Sequence, residues 1–156
     1  MDSSNLTHKE KFKFSRGVVI TTTIVTLLLA YTSATIFATK NTITIIVYLI
    51  ILLVITLGVL CSMPLRLEIS KTKITIFHPI GKTIIARKQI IETQVISKKD
   101  LKGSFRIFGS GGFMGWYGIF HNSRLGKFRL YSGDLENLHF IKTENKKYII
   151  SSSKTI

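Results

Sequence analysis

The pattern of apolar and polar positions divides the chain into two parts with different periods. From Val18 to Met63 the residues are apolar apart from one short polar group, Thr39-Lys40-Asn41-Thr42. Each half holds about 20 residues, enough at helical rise to cross a hydrocarbon core of roughly 30 Å. So short a connection predicts a hairpin of two antiparallel membrane-spanning helices, in which every backbone amide pairs internally. Pro64 ends the second helix, and Arg66 follows at the expected interface.

From Leu65 the period shortens to two. Leu65, Leu67 and Ile69 alternate with Arg66, Glu68 and Ser70; Ile74 and Ile76 with Lys73 and Thr75; Phe128 and Leu130 with Lys127, Arg129 and Tyr131. Such alternation predicts half-buried strands. Further strands are expected at Thr83 to Arg87, Glu92 to Ser97, Phe105 to Phe108, Trp116 to Phe120, Asn137 to Thr143 and Lys147 to Ser151. Turn residues fall between them, including His78-Pro79-Ile80-Gly81, Gly109 to Gly112 and Glu144-Asn145-Lys146. Many short strands with frequent turns predict a small antiparallel barrel or sandwich.

Charge sets the orientation. The chain has 156 residues, with 22 Lys and Arg against 8 Asp and Glu, a formal net charge of +14. Both outer flanks of the apolar region are basic, whereas the connecting turn offers Lys40 alone, so both termini are expected in the cytoplasm. The polar tail before the first helix is expected to be disordered until close to the bilayer. Its Lys11-Phe12-Lys13-Phe14 alternation suits a headgroup interface. The first span carries Thr21, Thr22, Thr23, Thr26, Thr32 and Thr35, whose hydroxyls can bond the preceding turn and offer a packing face. It is too long for a signal core, and Ile36 disfavours cleavage after Ala38. Cys61 is the single cysteine, so an intrachain disulfide is excluded. The division is therefore 1–17, a basic tail; 18–63, the helical hairpin; and 64–156, one small β domain.

The most distinctive stretch outside the hairpin is glycine-rich: Phe108-Gly109-Ser110-Gly111-Gly112-Phe113-Met114-Gly115-Trp116-Tyr117-Gly118. A phosphate-cradling loop needs its glycines between a strand and a helix, and that context is missing. The glycines are instead expected to permit a tight hairpin, with Phe113, Met114, Trp116 and Tyr117 packing around it or reaching the bilayer interface.

The run Arg106-Ile107-Phe108-Gly109-Ser110-Gly111-Gly112-Phe113, then Tyr117-Gly118-Ile119-Phe120 and Leu125-Gly126-Lys127-Phe128, resembles the bacterial pleckstrin-homology (PH) domain family. The resemblance covers Leu65 to Ser151 in outline and implies a bent barrel of about seven strands behind two membrane spans. It therefore implies an α+β membrane protein: an N-terminal two-helix transmembrane hairpin, then a small antiparallel PH-like β-barrel. The family's usual C-terminal capping helix has no clear counterpart in Ser151-Ser152-Ser153-Lys154-Thr155-Ile156. Lys71 and Lys73 are the nearest candidates for the family's basic phosphoinositide signature.

Catalytic chemistry is not expected. His8, His78, His121 and His139 are dispersed, and the acids show no paired motif, so neither a metal nor another cofactor is implied. A membrane enzyme using His121 or His139 is the alternative of a different class. No nucleic-acid motif appears. The expected function is that of a non-enzymatic interaction module of the bacterial inner membrane, binding a membrane-proximal protein or anionic lipid headgroups. An accessory subunit of a larger membrane complex is the other binding role. From Pro64 onward, 17 Lys or Arg face 6 acids, and the absence of a linker keeps the domain near the leaflet. The expected docking cations are Arg66, Lys71, Lys73, Arg124, Lys127 and Arg129.

Overall fold

The computed structural model describes residues 8–154. Helix α1 (Arg16–Ala38) starts at Ser15, whose side chain caps the Val18 amide at 3.3 Å. Five of its threonines bond carbonyls of the preceding turn; Thr22 donates to the Val18 carbonyl at 2.7 Å and Thr26 to the Thr22 carbonyl at 2.8 Å. Lys40 turns the chain with φ +53°, and Asn41 caps helix α2 (Thr42–Ser62) by accepting from the Thr44 amide at 3.1 Å. The helices join through Ser33 and Tyr48, whose hydroxyls lie 2.7 Å apart. At 23 and 21 residues, both are long and apolar enough to cross a membrane. Apolar side chains such as Leu27 and Val54 stay exposed along them.

The strands form two sheets. The tail supplies β1 (His8–Lys11), which pairs antiparallel with β2 (Arg66–Ile69); β3 (Lys73–Phe77) and β4 (Lys82–Ala86) complete a four-stranded sheet in sequence order. The second sheet holds β5 (Ile90–Ile96), β6 (Phe105–Gly112), β7 (Gly115–Asn122), β8 (Gly126–Ser132), β9 (Leu138–Thr143) and β10 (Lys147–Ser151). Its order is β5-β9-β10-β8-β7-β6, and β10 lies parallel to β8 while its other pairs are antiparallel.

The expected plan of two apolar helices followed by antiparallel sheets is present, and four details differ from the sequence reading. The tail from His8 onward is ordered, because β1 covers the open edge of β2 and Phe12 enters the core at 8% exposure. The part of the tail reading that falls on residues 1–7 lies outside the described residues. Gly109 to Gly112 belong to a strand rather than a turn, because β7 pairs with them as far as Gly112↔Gly115. No ladder joins the two sheets among the described residues, so the ten strands do not close into a barrel. One strand pair is parallel. Residues 152–154, after β10, are not helical.

Alternation gives the six-stranded sheet two apolar faces. On one, Tyr117, Tyr131, Ile141 and Ile150 pack against Leu67, Ile74, Ile76 and Ile85 of the smaller sheet. Phe12, before the hairpin in sequence, and Met63, after it, complete that cluster. The opposite face gathers Phe120, Phe128, Leu130, Leu138, Phe140 and Ile149, covered only in part by Leu101, Leu125 and Leu135.

The hairpin is tied to this domain at several points. Leu60, near the end of α2, accepts a hydrogen bond from the Ile80 amide at 3.0 Å. His78 Nδ1 lies 3.1 Å from the Met63 carbonyl oxygen, and its Nε2 lies 2.9 Å from Thr83 Oγ1. These contacts satisfy carbonyls that a helix C-terminus leaves open. On the other helix, the Met114 amide donates to Thr22 Oγ1 at 2.9 Å, and the Ser15 amide to the Gly133 carbonyl at 3.2 Å.

Candidate anion-binding interface

The six expected docking cations do not form one patch. Arg66 begins β2, beside the end of α2, and stacks over the Phe77 ring at 4.6 Å. A contact of this kind at an exposed site contributes about 0.5–1 kcal/mol. Its guanidinium also lies 3.7 Å from Glu68. Lys71 and Lys73 sit exposed at the β2–β3 turn, the other end of that strand. Arg124, in the β7–β8 turn, forms an ion pair with Asp100. Asp100 also accepts from the Ser97 amide at 2.7 Å and the Ser97 hydroxyl at 3.0 Å. The Ser97 amide, the Arg124 guanidinium and the Ser97 hydroxyl together hold its carboxyl down at about 2. Arg124 is therefore already engaged.

Lys127 and Arg129 do converge with other basic residues. Both line a cavity of about 300 Å³, together with Ile119, Asn145, Lys146 and Lys147. Parallel pairing puts Tyr148 opposite Arg129, and so brings the start of β10 alongside the basic positions of β8. Among the described residues, none of these four cations has a carboxylate within ion-pair distance. Lys147 Nζ donates to the Leu125 carbonyl at 2.7 Å, which fixes its head at the rim. Burial pushes the Tyr148 hydroxyl above its ordinary range, with Arg129 opposing that shift. Its β8 residues, Lys127 to Arg129, lie three to five residues from the Ser132 end beside the helices, roughly 10–17 Å at strand rise.

The residues expected at the bilayer interface divide between faces. Phe113 and Met114 form the two-residue loop between β6 and β7, and Met114, at φ +52°, meets α1. Trp116 packs against the cluster on the outer face of the large sheet, whereas Tyr117 is a core residue at 2% exposure. Gly112 and Gly115 flank the loop with φ +127° and +113°; Gly109 and Gly118, also at positive φ, form a cross-strand pair farther along. Gly111 has no positive φ, and a Cβ there would meet Arg106 and Trp116 side-chain atoms at 3.3 Å.

A family model described as Bacterial PH domain matches residues 65–155. The chain belongs to the bacterial PH domain family. No curated protein and no solved structure matches it. The family match starts at Leu65. The PH domain therefore recruits β1 and Phe12 from the far side of the hairpin.

His121 and His139 sit on different strands of this PH domain. His139, on β9, is buried, and burial lowers its pKa against the opposing influence of the Ser152 backbone and Glu10. His121, on β7, stacks near Phe105 at 5.1 Å between ring centroids. The strand order β9-β10-β8-β7 puts these two histidines three strands apart and four residues out of register, roughly 20 Å. Among the described residues, no group of three His, Cys, Asp or Glu side chains is placed to hold a metal ion.

Lys146 and Lys147 were missed by sequence reading. Their charge was visible, but Lys146 read as turn punctuation, and a parallel β8–β10 pair leaves no local signature. The remaining signal was the Lys146-Lys147 pair itself, the only adjacent lysines after Lys98-Lys99.

Proposed function

We propose that this chain is a membrane-anchored interaction module that holds a PH domain against the cytoplasmic leaflet of the bacterial inner membrane and binds anionic groups. In this reading the hairpin spans the bilayer and both termini are cytoplasmic. The family match supports a binding module for lipid or protein. The observation that carries the anionic preference is the cavity where Lys127, Arg129, Lys146 and Lys147 converge without a carboxylate partner among the described residues.

The test uses the full chain in nanodiscs of neutral phosphatidylcholine, titrated with water-soluble dihexanoyl-phosphatidylglycerol or dihexanoyl-phosphatidylcholine. Binding should favour the anionic lipid and weaken with salt. Basic groups near an anionic surface contribute roughly 1 kcal/mol each, so K127Q with R129Q should weaken it about thirtyfold. Equal binding of the two lipids would refute the reading.

The position of the cavity supports a second occupant. Its separation from the helix-proximal end, roughly 10–17 Å along β8, exceeds the Debye length of about 8 Å at physiological salt. An acidic segment of a membrane-proximal protein reaches that end without contact with the leaflet. Crosslinking from Lys146 to a stoichiometric partner in cells would support it.

A further inference from the structure

The outer face of the six-stranded sheet has a second groove. Phe128 lines both this groove and the basic cavity, and their other lining residues differ. The groove encloses about 560 Å³. Small-molecule sites commonly span about 300–1,000 Å³. Trp116, Phe120, Phe128, Leu130 and Leu135 line it.

Apart from its lysines, the polar groups of its lining are the Ser104 hydroxyl, which accepts a hydrogen bond from Asn122 Nδ2 at 2.9 Å, and the Trp116 indole N–H. Lys98, Lys99 and Lys102 stand exposed at the rim, and none is in an ion pair among the described residues. Asp100, the acid of that turn, is held by Ser97 and Arg124. A largely apolar floor below a positive rim complements a molecule with a hydrocarbon body and an anionic head. Trp116 is also two residues from Met114, whose amide is bonded to Thr22 of α1, so one end of the groove opens beside the apolar hairpin.

We propose that this groove binds a long-chain fatty acid, its hydrocarbon tail on Trp116, Phe120, Phe128 and Leu130 and its carboxylate among Lys98, Lys99 and Lys102. An acyl chain gains by leaving water for this floor. Its carboxylate stays at the solvated rim, where it meets cations without being buried.

Trp116 is the only tryptophan of the chain, so its emission reports directly on the groove. The experiment uses the full chain in phosphatidylcholine nanodiscs titrated with 9,10-dibromostearate, whose bromines quench an indole on contact. Quenching should saturate near one equivalent. The combined variant K98Q, K99Q and K102Q should weaken the apparent affinity about tenfold or more, and the uncharged methyl ester should behave like that variant. A control variant, K82Q with K88Q, removes two exposed lysines elsewhere and should bind as the parent does. The altered lysines are surface residues, and an unchanged circular dichroism spectrum checks that each variant is folded. Absence of quenching overturns the proposal, as does quenching that the rim variant leaves intact. Equal quenching by a brominated phosphatidylcholine built into the disc also overturns it, since Trp116 would then simply lie in the bilayer. A copurifying polypeptide crosslinked to Lys98, Lys99 or Lys102, with no response to dibromostearate, would make the groove a protein-docking site instead.

Discussion

Gly109 and Gly118 face each other across β6 and β7, at φ +108° and +119°. A Cβ on Gly118 would fall inside the contact distance of the Phe108 carbonyl oxygen, and one on Gly109 would do the same to Tyr117. Both the dihedral and the opposite backbone therefore demand glycine. G118A should cost about 3 kcal/mol or more, combining strain with overpacking, while G111A should cost about 1 kcal/mol because only side chains must shift. Thermal unfolding of the two variants in detergent checks the difference; equal losses would contradict it. His78 supports a pH prediction. Burial lowers its pKa, opposed by its bond to the Met63 carbonyl, and His139 is likewise lowered by burial. Both groups favour the folded state when neutral. Their contribution is present above the ordinary histidine pKa of about 6.5 and is lost as pH falls through the lowered folded-state values. Unfolding temperature should therefore drop between pH 7.5 and pH 5, and H78Q, which cannot titrate, should show a smaller drop.

Among the elements, β1 is the one whose removal should matter most for its size. Phe12 follows it into the core, where its amide donates to the Leu65 carbonyl at 3.3 Å. Glu10 accepts from the Ser153 amide at 3.1 Å and from the Ser153 hydroxyl. F12A should destabilise the protein by about 3 kcal/mol or more, the usual range for a buried phenylalanine. Denaturant unfolding measures it, and a loss within 0.5 kcal/mol, as roughly expected of a surface site, would show that β1 is dispensable. The helices and β2, β3 and β8 were legible, because long apolar runs and strict alternation are local signals. β1 was not: His8-Lys9-Glu10-Lys11 has no apolar alternation and is a strand only because β2 offers it an edge. The glycines of β6 gave the opposite difficulty, since weak strand propensity reads as a loop when the partner β7 is unseen. Of the candidate site, Lys127 and Arg129 were found from alternation, but their neighbours Lys146 and Lys147 depend on a parallel pairing between distant segments.

At the scale of the whole molecule, β1 precedes the hairpin and β2 follows it, yet they share a ladder. The tail and the PH domain therefore stand at the same end of the hairpin, whichever compartment that is. The basic flanks favour the cytoplasm. Reporter fusions after Arg16 and at Asn41 should be cytoplasmic and external respectively, and a fusion after Ile156 should match the first. An external C-terminal reporter would reverse the assigned orientation. The shared ladder also imposes an order on synthesis. Residues 8–11 leave the ribosome before either helix, but their partner strand emerges only after both have been made. The four-stranded sheet cannot be completed while the hairpin is still being delivered, so the first described segment to appear is among the last to find its place.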